Sequence, residues 1–455
     1  MIRSLLLSEL CRPLKAQLLG DDIAFDRLST DTRAIANGDL FLALTGPNFD
    51  GHNFAEAAVA AGASALVVDH PLDLEIPQLI VADTRLALGL IGQYNRSLFS
   101  GQVIAVTGSS GKTSVKEMLG KVMSANGPTL TTRGNLNNDI GAPLTLLSIE
   151  VDHQVAVIEL GANAQGEIDY TVGLVQPDVA ILNNAMGAHL EGFGGLQGVV
   201  KAKGEIFNGL GQEGTAIVNR DDPHADVWLS NLAGRKVLTF GFADTADIRA
   251  ENLQLQSNHC YRFELVIDGQ KSEVKLQVLG RHSVANALAA AAAATASKVS
   301  PSQIATGLSG FTGVPGRMNV LAGVNGCQVI DDSYNANAGS VCAAIDVLES
   351  LEGQRWLVLG DMAELGDESQ EQHALVGGYA AEKGLDALWA VGPESLSTVA
   401  AYQANGGVGG VHFEHKAQLI EELLQHAGAG HTFLMKGSRS SAMDQVVNRL
   451  TKGEK

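Results

Sequence analysis

Lys112 and Thr113 follow a glycine-punctuated turn in the stretch Val103-Ile-Ala-Val-Thr-Gly-Ser-Ser-Gly-Lys-Thr-Ser114. Residues of these types, in this order, can hold a triphosphate. Gly108 and Gly111 allow backbone N–H groups to face an anion, and the start of a helix adds partial positive charge. The Lys112 ammonium would neutralise the β- and γ-phosphates, while the Thr113 hydroxyl would reach Mg²⁺. Thr107, Ser109 and Ser110 complete the turn. The stretch departs from the standard P-loop at Val106, where a glycine is usual. The short form Gly-x-x-Gly-Lys-Thr also fits an ordinary strand–turn–helix, but a Lys-Thr pair at a helix start favours nucleotide binding.

Three more residues bear on the same chemistry. Glu159 ends the apolar run Val155-Ala-Val-Ile-Glu159, where a nucleotide-binding sheet would offer a carboxylate to Mg²⁺. Alone it would read as a solvated strand end; beside a P-loop it reads as a ligand. His189 sits in a glycine-bearing loop after the apolar run Val179-Ala-Ile-Leu-Asn183, within reach of the same metal or an ordinary loop histidine. Lys203, in Ala202-Lys-Gly-Glu-Ile-Phe207, reads by itself as a surface lysine.

The elements around these residues imply an α/β chain. Val115, Met118, Leu119, Val122 and Met123 recur on one helical face after the turn. From residue 101 to 313 apolar strands alternate with helices, the pattern of a parallel sheet covered on both faces. Ligands collect at the carboxyl ends of such strands. Alternation in Tyr261-Arg-Phe-Glu-Leu-Val-Ile267 predicts an antiparallel insertion between 248 and 279, and the alanine run 285–296 predicts a buried helix. Residues 1–100 read as a small α/β unit. Residues 314–455 read as a second doubly wound unit, with strands at Val329, Trp356, Ala387 and Thr432.

Composition narrows the partners. The 455 residues carry a formal charge of −19 and no basic tract, which argues against nucleic acid or an anionic membrane as partner. Four scattered cysteines have no metal-binding spacing and suit reduced thiols in a cytoplasm. Leu5-Leu6-Leu7 is soon followed by Glu9, Arg12 and Lys15, unlike a signal peptide or a membrane span.

The chain resembles the Mur ligase family. The resemblance rests on the ordered strings Thr107–Thr113, Gly134-Asn-Leu-Asn-Asn-Asp-Ile-Gly-Ala-Pro-Leu144, Ala188-His-Leu-Glu-Gly-Phe-Gly194 and Ala202–Phe207. It continues in Gly280-Arg-His-Ser-Val-Ala-Asn286, Asp331-Asp-Ser-Tyr-Asn-Ala-Asn337, Leu359-Gly-Asp-Met-Ala-Glu-Leu-Gly366 and Lys436-Gly-Ser-Arg439. Ala338 stands where the family usually has proline, and Gly195 where it has serine.

The resemblance implies three domains. These are a UDP-binding α/β domain (1–100), a central P-loop ATPase domain (101–313) and a Rossmann-like C-terminal domain (314–455). It implies ATP, two Mg²⁺ ions and an acyl phosphate, with Lys112 and Mg²⁺ supplying positive charge where the phosphoryl group moves. Thr113, Glu159, His189 and Lys203 would be metal ligands, Lys203 as a carbamate. His282 and Asn286 would contact the nucleotide, Arg317 and Asp332 its phosphates and ribose, and Tyr334 and Asn335 the adenine. Ser29, Asp31, Thr45 and Asp50 would hold the UDP end of the substrate, and Asn135 and Asn138 would also bind substrate. Lys436, Ser438 and Arg439 would bind the carboxylate of an incoming D-alanyl-D-alanine. The strings Asp331–Asn337 and Gly360–Gly366 favour that dipeptide over a single amino acid or a folate's glutamate. The expected enzyme is a cytoplasmic monomer acting on small molecules. A P-loop switch and an inactive sugar-nucleotide-binding module are the competing classes. No Asn-Lys-x-Asp string supports the first, and intact Lys112, Thr113, Glu159, His189 and Lys203 oppose the second.

Overall fold

The computed structural model describes residues 1–46 and 48–452. Pro47, in the loop expected to meet UDP, and the last three residues lie outside the described set.

Three main sheets occupy three successive stretches of chain. The first has five strands, Gln17–Leu19, Gln78–Ile80, Ala65–Val68, Leu40–Leu42 and Leu28–Ser29 in spatial order. The helix Thr84–Ser97, capped by the Asp83 carboxylate, covers its core and leads into the central unit. Asn95 ties the two units together. Its buried amide donates to the carbonyls of Leu146 (2.8 Å) and Ile149 (3.1 Å).

The central sheet has nine strands. In spatial order its parallel part runs Thr129–Thr131, Val155–Glu159, Gln102–Thr107, Val179–Leu182, Thr215–Asn219, Lys236–Gly241 and Ile248–Leu255. Cys260–Ile267 and Gln270–Leu279 then add antiparallel strands, the insertion that the alternating sequence predicts. The central strands Val155–Glu159, Gln102–Thr107 and Val179–Leu182 are apolar on both faces because helices cover both. On one face lie Lys112–Ser124 and Arg281–Ala296. Ala287 and Ala289 to Ala294 in the latter are wholly buried, and side chains this small let a helix lie close to the sheet.

The third sheet follows the order Asn319–Ala322, Gln328–Asp332, His431–Lys436, Gln354–Gly360, Ala387–Val391 and Gly410–Phe413. All neighbours are parallel except the first pair. The strand Asn319–Ala322 does not stand out in the sequence, because it is a half-exposed edge of four residues whose outward face is solvated. All four cysteines are free. Among the described residues no helix is long and apolar enough to cross a membrane.

Candidate active site

The site forms where the carboxyl ends of the central strands meet the third unit. Strand Gln102–Thr107 ends at the turn, and the helix begins at Lys112 with Gly111 at φ +76°. Only glycine fits there. A Cβ on Gly111 would fall 2.3 Å from Asn286 Oδ1 and 2.6 Å from Asn183 Nδ2. Those two side chains are bonded to each other at 3.0 Å, and Asn183 also donates to the Ser110 carbonyl at 3.0 Å. Ser110 N donates to Asn184 Oδ1 at 2.9 Å, and Ser109 Oγ donates to the Met186 carbonyl at 3.0 Å. The turn is therefore braced by the neighbouring strand's end rather than by its own residues. Lys112 Nζ donates to the Gly108 carbonyl at 2.7 Å. Burial lowers its pKa, and Arg317 adds to that while Glu159 opposes it.

Glu159 is nearly inaccessible, and one carboxylate oxygen accepts from Asn137 Nδ2 at 2.8 Å. Its other oxygen, Oε2, is buried without a hydrogen-bond partner among the described residues. An unpartnered buried carboxylate oxygen at this strand end suits a cation. His189 stands at φ +54°, and its Nδ1 pairs with Glu364 of the third unit. Burial lowers the His189 pKa, with Lys112 and Lys203 adding to the fall and Glu364 opposing it. Lys203 is 1% exposed, and its ammonium makes no hydrogen bond or ion pair among the described residues; it lies 5.1 Å from the Phe193 ring centroid. Burial, with Lys112 next, pushes its pKa well below the ordinary lysine range. Burial thus disfavours the ammonium, and the neutral amine is the nucleophile that carbamate formation requires. The donor set thus fits a hard divalent cation.

A cavity of about 490 Å³ opens beside the turn, and its lining includes Asn286, His282, Arg317, Asp332 and Lys436. Arg317 donates to the Thr113 hydroxyl at 3.3 Å, so the third unit closes over the P-loop. Lys436 Nζ donates to Asp332 Oδ2 at 2.5 Å and to the Asn335 carbonyl at 3.0 Å. It therefore sits in this cavity and apart from Ser438 and Arg439, with which the sequence groups it. Tyr334 packs its ring 4.1 Å from the Arg317 guanidinium and does not line the cavity. Asn335, Ser438 and Arg439 line a second cavity of about 310 Å³, together with His189 and Glu364.

The remaining candidates are held by local bonds. Asp31 and Asp50 cap the short helical turns Thr32–Ala34 and Gly51–Phe54, accepting from Arg33 N and His52 N at 3.0 Å each. Ser29 Oγ donates to the Asp31 carbonyl at 3.0 Å, and Thr45 is exposed on a short hairpin. Asn138 Oδ1 accepts from Gly141 N, at the start of Gly141–Leu147, at 2.8 Å, and Asn135 is exposed. None of these residues lines the larger of the two cavities. Sequence reasoning passed over Asn137, Asn183, Asp222 and His224; the last three line the larger cavity. The Asn-Asn pair after an apolar strand was the available signal for Asn183.

Known proteins match along the whole chain. The profile of the Mur ligase middle domain matches residues 106–294, the glutamate ligase domain of the Mur ligases 316–439, and the Mur ligase family catalytic domain 25–91. The UDP-N-acetylmuramoyl-tripeptide–D-alanyl-D-alanine ligase of Escherichia coli is 47% identical, over 98% of both chains. A crystal structure of MurF from Acinetobacter baumannii superposes with a TM-score of 0.92 at 39% identity, over 99% of both chains. MurF from Thermotoga maritima, solved in complex with ADP, gives 0.84 at 26% identity, over 94% of this chain and 97% of that one. The chain belongs to the Mur ligase family.

Proposed function

We propose that this chain joins D-alanyl-D-alanine to a UDP-N-acetylmuramoyl tripeptide at the expense of ATP, a step of peptidoglycan precursor synthesis. The observation that carries the reading is end-to-end identity of 47% with a ligase of that name. Added to it is a P-loop closed over by Arg317 of the third unit.

The chemistry needs two anions to meet. A tripeptide carboxylate oxygen attacks the γ-phosphorus, and the bond to the β-phosphate oxygen breaks to release ADP. The dipeptide's amine then attacks the acyl phosphate carbon, an amide forms, phosphate leaves, and the amine's proton passes to solvent. Lys112 would leave the Gly108 carbonyl for the transferring phosphoryl group, where fixed charge matters most. Mg²⁺, held by Thr113, Glu159, His189 and a carbamate on Lys203, would offset the repulsion between carboxylate and phosphate. His282, Asn286, Arg317, Asp332 and Lys436 would hold ATP, with Tyr334 stacked behind Arg317. Ser438 and Arg439 would take the dipeptide carboxylate. Residues 1–100, with Ser29, Asp31, Thr45 and Asp50 in their loops, would receive UDP, and 101–313 and 314–455 would act as the other two domains. ATP as co-substrate and four free thiols suit a cytoplasmic reaction.

Phosphate release from ATP tests the reading. It should require both the UDP-linked tripeptide and D-alanyl-D-alanine. Hydrolysis indifferent to the dipeptide would point to a nucleotide switch, and absence of turnover to a binding module.

A further inference from the structure

Two segments with unusual backbone meet across the boundary between the central and third units. His189 has φ +54° and Glu364 φ +63°, both in the left-handed region that side-chain-bearing residues seldom occupy. Their side chains pair through His189 Nδ1 and Glu364 Oε2. The approach is close along its length. Glu191 N donates to the Glu364 carbonyl at 3.5 Å, and a Cβ on Gly366 would lie 3.1 Å from the Glu191 Cβ. No other ion pair links His189 to the third unit among the described residues.

We propose that Glu364 is a positioning residue which selects the tautomer of His189 when the third unit is closed on the central one. A carboxylate only accepts, so His189 must carry its proton on Nδ1 and keep the lone pair on Nε2. A histidine that binds a metal commonly has its other ring nitrogen held by a carboxylate, which fixes the ring and strengthens it as a ligand. Here that carboxylate comes from a different unit than the ligand. An open arrangement leaves His189 free to take either tautomer, and closure supplies the acceptor that commits it. The metal centre is thereby completed by the same motion that brings Arg317 to Thr113. The inference rests on the reading of His189 as a metal ligand but not on which amide the enzyme makes.

The test uses the full chain with a non-hydrolysable ATP analogue and Mn²⁺ as the metal probe. Long-range proton–nitrogen spectra of protein labelled at histidine nitrogen report the tautomer, the His189 signals being assigned by their loss in H189A. Paramagnetic resonance titration gives the Mn²⁺ affinity. The unaltered protein should show His189 protonated on Nδ1. In E364A that signature should be lost and Mn²⁺ affinity should fall roughly 10–100-fold, the usual effect of removing such a partner. E364Q should recover most of both, because its amide oxygen still accepts from Nδ1. Glu364 is half-exposed, so neither variant removes core packing. Unchanged Mn²⁺ affinity in E364A, an unchanged tautomer, or no Mn²⁺ binding by the unaltered protein overturns the proposal. Dipeptide-dependent phosphate release by the unaltered protein, measured separately, decides the ligase reading on its own.

Discussion

Arg317 reaches the Thr113 hydroxyl at 3.3 Å across 204 residues of sequence, with its guanidinium 4.1 Å from the Tyr334 ring centroid. The third unit thus brings a cation to the residue that follows the P-loop lysine, and an aromatic ring holds that cation in place. Closing motions of this kind complete a site and exclude water from it.

Replacing Arg317 by lysine should weaken ATP binding. Lysine keeps the charge but loses the planar stack on Tyr334 and the fork of donors. Loss of one hydrogen bond from a charged group, about 1.5 kcal/mol, corresponds to roughly a tenfold rise in the ATP KM. The unfolding temperature without nucleotide should stay near that of the unaltered protein. A KM within twofold of the original would remove Arg317 from nucleotide binding.

Gly111→Ala should abolish useful nucleotide affinity. The left-handed backbone at φ +76° costs an alanine about 1–2 kcal/mol. Its methyl would also collide with Asn286 Oδ1, which lies 2.3 Å away. The Asn183–Asn286 bond must break or the turn must move. Calorimetric titration with ADP should show at least a tenfold loss of affinity, and retained affinity would mean the turn has slack that its bracing does not suggest.

Asn137→Ala tests a residue that holds one oxygen of Glu159 and leaves the other unpartnered. Without the 2.8 Å bond from Asn137 the carboxylate is free to turn or to take up water. The Mg²⁺ concentration for half-maximal activity should rise about 10-fold or more, as removal of such partners commonly does. ADP affinity measured without metal should be unaffected. An unchanged Mg²⁺ requirement would mean that Glu159 is oriented by something else.

How legible the site was in the sequence follows from how local each signal is. The P-loop was readable because Gly111, Lys112 and Thr113 are consecutive and the helix after them buries Val115, Met118 and Leu119 on one face. Glu159 was readable as a strand end. Asn183 was not, because its role depends on Val179–Leu182 pairing beside Gln102–Thr107, a neighbour relation that sequence order hides. Glu364 lies in a motif but has no role legible from it, since its partner His189 lies 175 residues away. Asp31 and Asp50 are ambiguous for the opposite reason. Short polar side chains in loops so often cap the backbone beside them that their availability to a ligand cannot be read from type alone.

Lys203 should carry a carbamate when carbon dioxide is present. Burial disfavours its ammonium form, and a neutral amine is what adds to carbon dioxide. Protein equilibrated with ¹³C-labelled bicarbonate should show a carbamate carbon resonance that is absent from Lys203→Arg. Activity should also fall after exhaustive removal of bicarbonate and return on its addition. No resonance in the unaltered protein, with activity indifferent to bicarbonate, would leave Lys203 as a buried amine.

His282 should make the nucleotide-free protein sensitive to mild acid. Burial lowers its pKa below the ordinary 6.5; Lys436 adds to this, and Asp332 and Asp346 oppose it. The unfolded chain therefore takes up a proton near pH 6.5 that the folded chain refuses. Stability from this group is complete above that value and is lost as the pH falls from it toward the lower, folded pKa. Urea unfolding of the unaltered protein and of His282→Gln at pH 7.5 and pH 5.5 isolates the effect, since every other titrating group is common to both. The unaltered protein should lose more stability over that interval than the glutamine variant. Equal losses would mean that the folded protein protonates His282 as readily as the unfolded chain does.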